Sequence, residues 1–478
     1  MNAFKRKSLY AALASVGALG VTGAAQAVNV NPDGLGQVLI YPYYTTNGLG
    51  TGGTTAPYNS LLSVVNSTAS GKVVKVRFVE GRNSREVLDF NLWLSPFDVW
   101  TTAIVPSGAG AGIYTTDLSC TTPPVSSSST APTNFVNFAY AGDPEKQTLD
   151  RTKEGYVEII EMGNVNGGNL ANITHAQPSP PGTPPGCSKL PTGAAPPTDL
   201  VAPSGGLFGG ISLINVLAGG DITENATALA SFSDVANWGA AGSQFPDLSF
   251  VHPLLSVVFN NTEVVTTSWT GSSNTVDPVS AVLMVEDVYN EFVLDANTKS
   301  GTDWVVTAPT KRFYYSNFNV TKLFQRNFRL NGACDDVGLT IYNREEQSVL
   351  GSFSPPPPTI TNSICWEANV LTFNNTNVLL SQNVLNIPVS FPNGWADLNL
   401  GGGVQSASVH ELIGGNTVHT NTGTGATTTA TTATYNGLPV IGFAAQYFNN
   451  GTLTGPGGTG VQAFYTGAFM HRYVRSIQ

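Results

Sequence analysis

The sequence predicts a mainly β protein: antiparallel β-sandwich domains, about two of them, joined by long Pro/Gly/Thr-rich loops. Three observations carry that expectation. Apolar and polar residues alternate at period two in many short runs. The chain's 51 glycines and 30 prolines punctuate those runs, as turns between sandwich strands require. Helix signals are few. At 478 residues the length suits two or three domains of roughly 150 residues each.

The first 27 residues read as a cleaved secretory signal. Lys5, Arg6 and Lys7 form a basic start, an apolar run follows from Leu9 to Val21, and Ala25-Gln26-Ala27 offers small residues for cleavage. The run is too short to span a bilayer as an anchor. The mature chain is expected to begin near Val28, leaving an N-terminal β domain over 28–176.

Within that domain, 37–44 and 61–66 read as strands, and the clearest unit spans Lys72 to Leu94. Val74, Val76 and Phe78 fall on one face and Lys75 and Arg77 on the other. Gly81-Arg82-Asn83-Ser84 is turn chemistry, and Leu88, Phe90, Leu92 and Leu94 then alternate with polar positions. A hairpin with one buried face is predicted. Ser95-Pro96 ends it, because proline cannot donate to a ladder. A further strand is expected at 156–161.

Residues 177–206 are crowded with Pro, Gly and Ala and read as a loop or linker, tethered by Cys187. Beyond it, 207–478 reads as one or more C-terminal β domains, with strands at 254–259, 264–269, 304–307, 339–342, 369–373, 440–446 and 462–473. Residues 277–288 fit either a short helix, with Asp277 as N-cap and Pro278 at its first position, or a buried strand. Pro355–Pro358 reads as a polyproline spacer. Residues 420–434, nearly all Thr, Ala, Gly and Asn, read as a loop with little to bury.

Composition narrows the function classes. The formal charge is −10, and removal of the signal's three positive residues would take it to −13 (−10 − 3). Such a chain repels nucleic acid and anionic lipid, so no nucleic-acid partner is expected. No transmembrane helix is expected after signal cleavage. Only 11% of residues are charged, about half the usual share. A polar but nearly uncharged surface loses little solvation on contact, which suits packing against neighbours.

Cys120, Cys187, Cys334 and Cys365 are an even set in an exported chain, so disulfides are favoured over metal thiolates. Position favours Cys120 with Cys187 and Cys334 with Cys365, cross-pairing being the alternative. Each local bridge would contribute about 3–4 kcal/mol in the chain-entropy model.

No catalytic motif stands out. His175, His252, His410, His419 and His471 are scattered, with no HExxH and no pair at helical spacing. His410-Glu411 reads as a strand edge, and there is no GxSxG elbow. Acid pairs occur at Asp335-Asp336, Glu345-Glu346 and Glu286-Asp287, but sequence alone does not set two acids across a sugar. Asp335 and Asp336, directly after Cys334, are the candidate ligands for a structural calcium, with a solvated turn as the competing reading. No other cofactor is expected. Sequons at Asn66, Asn172, Asn225, Asn260, Asn319 and Asn374 are weak signals in a chain so rich in Asn and Thr. Tyr41, Tyr43, Tyr44, Tyr314 and Tyr315 read as core more readily than as sugar-stacking residues.

Several blocks carry a resemblance. They are Gly36-Gln37-Val38-Leu39-Ile40-Tyr41-Pro42-Tyr43-Tyr44, Leu62-Ser63-Val64-Val65-Asn66, Val76-Arg77-Phe78-Val79-Glu80-Gly81 with Asn83-Ser84, and Val87-Leu88-Asp89-Phe90 with Leu94-Ser95-Pro96. Trp304-Val305-Val306-Thr307 before Pro309-Thr310-Lys311, and Gly437-Leu438-Pro439-Val440-Ile441-Gly442-Phe443, complete the set. Together the chain resembles exported cell-surface, or surface-layer-like, proteins of Gram-negative bacteria. The resemblance implies a location at the cell surface, in the outer envelope or outside the cell, and a role in self-assembly or in binding envelope components. It supplies no site residues, and four cysteines depart from the habit of such proteins. The expectation is an exported structural or assembly protein without catalysis. A secreted polysaccharide-binding or polysaccharide-acting protein is the first alternative, and an outer-membrane β-barrel the second.

Overall fold

The computed structural model describes residues 26–48, 57–175, 182–272, 274–314, 323–324, 332–352, 362–402 and 409–478. Most of the signal region, the polyproline spacer, Tyr315 and Asn319 lie outside the described residues. The protein is mainly β, and its ladders are antiparallel except for Ala368–Phe373 beside Val384–Ile387. No sheet among the described residues closes into a barrel.

Two sheets form the first sandwich. The inner one runs Asn29–Val30, Thr227–Ala230, Val38–Thr45, Glu154–Val165, Gly71–Glu80, Glu86–Leu94 and Cys120–Thr122. The outer one runs Gly220–Asn225, Gly210–Asn215, Asn59–Asn66, Val99–Ser107, Gly110–Tyr114 and Thr133–Asn134. Between them Tyr41, Val76, Phe78 and Phe90 of the inner sheet meet Leu62, Trp100, Ile104 and Leu213 of the outer, all buried. The strands over 207–230 follow the Pro/Gly-rich segment in sequence, yet they pair with Asn59–Asn66 and Val38–Thr45. That segment folds back on the inner sheet through Leu200–Val201 and the Cys120–Cys187 disulfide.

The hairpin forms as the alternation predicts. Val76 lies opposite Phe90, Phe78 opposite Leu88, and Lys72 opposite Leu94. Glu80 organises its turn: the carboxylate accepts the backbone N–H groups of Arg82 (2.9 Å), Asn83 (3.0 Å) and Arg85 (3.1 Å). Ser84 completes the reversal at φ +55°. The expectation of a single buried face is corrected. Lys75 and Arg77 are as buried as Val76, because residues 232–253 and the start of the second sandwich cover that side.

In the second sandwich the front sheet runs Ser348–Leu350, Gly338–Asn343, Asn393–Asn399, Asp287–Val293 and Arg472–Val474. The back sheet runs Val384–Ile387, Ala368–Phe373, Gly301–Thr307, Ile441–Thr454 and Gly460–Met470. Phe292 stacks on Phe373 at 5.0 Å in the core between them. One apolar cluster continues from Val38, Ile40, Val79 and Tyr156 of the inner sheet into this core, so the two sandwiches share a packed junction.

Residues 277–288 divide between the two readings offered. Asp277–Leu283 is a short helix, and Met284–Val285 and Asp287–Val293 are strands. The N-cap is Val276, not Asp277, whose carboxylate accepts the Tyr314 hydroxyl at 2.7 Å. The stretch 420–434 is more ordered than its composition suggested. Thr417–Asn421 pairs with Thr427–Ala430, since threonine favours extended backbone and a ladder's hydrogen bonds need no apolar side chains. At the expected cleavage point, Ala27 and Val28 are both buried, and the Val28 N–H donates to Leu255 O at 3.0 Å.

Candidate functional site

The sequence candidates separate on folding. Asp335 and Asp336 form a two-residue strand paired with Ser363–Ile364, next to the Cys334–Cys365 disulfide. Asp335 is buried with Lys311 Nζ at 3.0 Å, and Asp336 Oδ1 accepts the Ser363 hydroxyl at 2.9 Å. Both carboxylates therefore have protein partners. Among the described residues no cluster of three or more His, Cys, Asp or Glu side chains is placed to hold a metal. His410 is buried between the carbonyls of Leu323 (2.7 Å) and Asp336 (2.9 Å), away from any open groove described below. His471 sits in the second core, where burial drives its pKa down to about 4. Asn66, the first sequon, is spent on Ser70 O and Ser95 O and is buried. Tyr41, Tyr43, Tyr44 and Tyr314 are core residues.

Sequence reasoning missed a layer of buried charge at the junction of the sandwiches. Arg77 is enclosed by Glu158 and Glu86, the latter at 2.8 Å. Burial works against its charge, but Glu158 and Glu86 outweigh that and push its pKa up. On the opposite face of the sheet, under Ser204 and Gly205, Lys72 meets Glu161 at 2.6 Å, and near the hairpin turn Arg151 meets Glu80 at 2.8 Å. Arg82 of the hairpin turn reaches Glu145 at 2.8 Å and lies over the Trp366 ring, while the turn's Gly81 carbonyl accepts Ala368 N–H. Next to this contact Glu367 is fully buried, with the Ser84 hydroxyl and Lys311 close to its carboxyl. Burial raises its pKa to about 8 despite the nearby Lys311. Displaced titration can mark catalysis, but here the group is sealed from solvent and joins two domains.

The open surface is elsewhere. Along Asn59–Asn66 and Gly210–Asn215 every second residue is buried, and the outward set of the sheet comprises Asn59, Leu61, Ser63 and Val65, then Ser212 and Ile214, Thr223, Thr101, Val105 and Tyr114. A shallow depression of about 410 Å³ crosses this face. Leu61 is 42% exposed and Val99 47% exposed, with Phe208, Val216 and Leu217 also exposed along its margin. Asp221, near the edge, is the charged member of the outward rows in register with Leu61 and its neighbours. The runs 61–66 and 99–107 are uncharged at every position, which marks charge-poor strands but does not tell which side of them faces water.

The fold and these surfaces define a class: an antiparallel β-sandwich protein with two intact disulfides. Such bridges persist in oxidising, extracytoplasmic compartments, and no described helix is long and apolar enough to cross a membrane. Comparison with protein-family models, curated proteins and solved structures finds no match.

Proposed function

We propose that the chain is an exported cell-surface protein that works by packing against copies of itself or against envelope components, without catalysis. The observation that carries this reading is the outer face of the first sandwich, a broad sheet surface almost free of charge. Exposed apolar faces rimmed by polar residues mark contact sites. Hydroxyl-bearing and aliphatic side chains lose little solvation when covered, whereas each buried unpaired charge would cost several kcal/mol. The signal-like N-terminus, the disulfides and the resemblance to surface-layer-like proteins support the same location.

The test is cell fractionation combined with sedimentation of the purified mature protein. Recovery in the envelope fraction, and concentration-dependent oligomers lost on Leu61→Lys, are expected. A strict monomer absent from the envelope would reject the reading. Saturable glycan hydrolysis abolished by one carboxylate substitution would replace it with the enzyme alternative.

A further inference from the structure

A groove of about 470 Å³ lies where the solvent side of the second sandwich's front sheet meets the end of Gly460–Met470 from the back sheet, within the roughly 300–1,000 Å³ typical of small-ligand clefts. Its walls are aromatic and apolar. Trp395 is 39%, Phe469 48% and Met470 59% exposed, and all three line the groove. Large apolar side chains open to water in one concavity, instead of scattered singly, are the exception on a protein surface.

These walls are held in place. Tyr342, opposite Trp395 on the neighbouring strand, stacks on its indole at 4.2 Å with the planes 8° apart. That covers one face of the ring; Tyr289 packs tilted against the indole at 6.0 Å, and both side chains line the groove. Asn290 donates to the Phe469 carbonyl at 2.9 Å and sits 3.1 Å from His471 Nδ1, tying the Phe469 wall to the sheet. Fixed walls lose little entropy when a ligand enters.

Two polar groups border the apolar walls. Glu291 lies opposite Trp395, and Arg472 lies opposite Tyr289. Both are exposed, and neither forms an ion pair among the described residues. One offers only acceptors and the other only donors. A ligand that satisfies this set needs a flat apolar face and a rim of groups that both donate and accept. A pyranose ring has that form: axial C–H bonds on its face, hydroxyls around its edge. Glu291, with Asp397 and Asp287 on the same sheet face, disfavours an anionic ligand, and Arg472 disfavours a cationic one.

We propose that this groove is a binding site for neutral saccharide, with Trp395 and Phe469 as stacking walls and Glu291 and Arg472 as hydroxyl partners. The site is on the opposite sandwich from the assembly face and does not rest on that reading.

The experiment titrates the mature protein with cellohexaose, maltohexaose, mannohexaose and chitohexaose by calorimetry. At least one should bind saturably. Trp395→Ala should weaken that binding at least about tenfold, as loss of a buried aromatic contact does, and Trp395→Phe should retain most of it. Leu61→Lys, on the other sandwich, should leave it unchanged. Because Trp395 is partly exposed, the melting temperature of each variant separates lost binding from lost folding. Absence of binding at millimolar sugar overturns the proposal, as does binding indifferent to both Trp395→Ala and Phe469→Ala. A Trp395→Ala variant that loses self-association and leaves sugar binding untouched would assign the groove to a second copy instead.

Discussion

The two sheets of the first sandwich alternate at the same period but expose opposite kinds of residue. On the inner sheet the charged side, with Lys75 and Arg77, is buried under the rest of the chain. On the outer sheet the side bearing Leu61, Ser63, Thr101 and Ser212 faces solvent. Charge is used inside the molecule and withheld from part of its surface. The difference teaches what each face is for. A buried ion pair is weak evidence of added stability, but a slip of one strand past the next would leave Arg77 or Glu158 unmatched, so these pairs fix the register of the inner sheet's central strands. The outer face has no such code and stays free to meet a partner.

The comparison can be broken first at Arg77. Arg77→Ala leaves Glu158 and Glu86 without their cation and should cost about 3–5 kcal/mol in denaturant unfolding. The triple variant Arg77→Met with Glu158→Leu and Glu86→Gln should recover most of that, because an apolar replacement of similar volume is close to neutral once no charge is left unpaired. Failure to recover would mean that the charges themselves hold the strand register. On the other side of the same strand, Phe78→Ala should cost a comparable 3–5 kcal/mol through the cavity it leaves. A loss below about 1 kcal/mol there would contradict the two-sided burial of this strand.

Glu367 sharpens the comparison by pH. Its carboxyl keeps its proton in the folded protein up to about pH 8 but releases it near the ordinary 4.5 when unfolded. Unfolding therefore releases a proton between those values, and stability falls as pH rises through that window, by up to about 1.4 kcal/mol per pH unit. Thermal unfolding from pH 5 to 8 should show this decline, and Glu367→Gln should flatten it. An identical slope in the variant would mean that other groups carry it. The smallest expected effect is on the outer face. Thr101→Lys should change stability by no more than about 0.5 kcal/mol while reducing self-association. A large stability loss would show that this face is part of the fold and not free for contact.

Much of the strand framework was legible because period-two alternation and turn residues are local properties. The hairpin across Gly81–Ser84 and the strands near 37–44, 156–161 and 304–307 follow from neighbours a few positions away. The saccharide groove was not legible. Trp395, Phe469 and Arg472 are separated by more than seventy positions at their widest and share a surface only because Arg472–Val474 pairs with Asp287–Val293. The aromatic residues that looked conspicuous in sequence, Tyr41, Tyr43 and Tyr44, went to the core. For the outer sheet, both alternate sets of 61–66 are uncharged, so nothing local says which one faces water.

What the sequence determined by itself is the class of structure: short alternating runs, frequent turns and cysteines close enough in the chain to bridge specify a disulfide-stapled β protein. Those signals act over a few residues, or through the loop a bridge closes, and do not depend on the final assembly of sheets. Which side of a strand is buried was decided only by tertiary structure. Arg77 and Lys75 alternate with Val76 as an exposed polar row would, and became core because residues 232–253 and the second sandwich cover them. Burial is a property of what lies on top, and that is set by contacts between segments far apart in the chain.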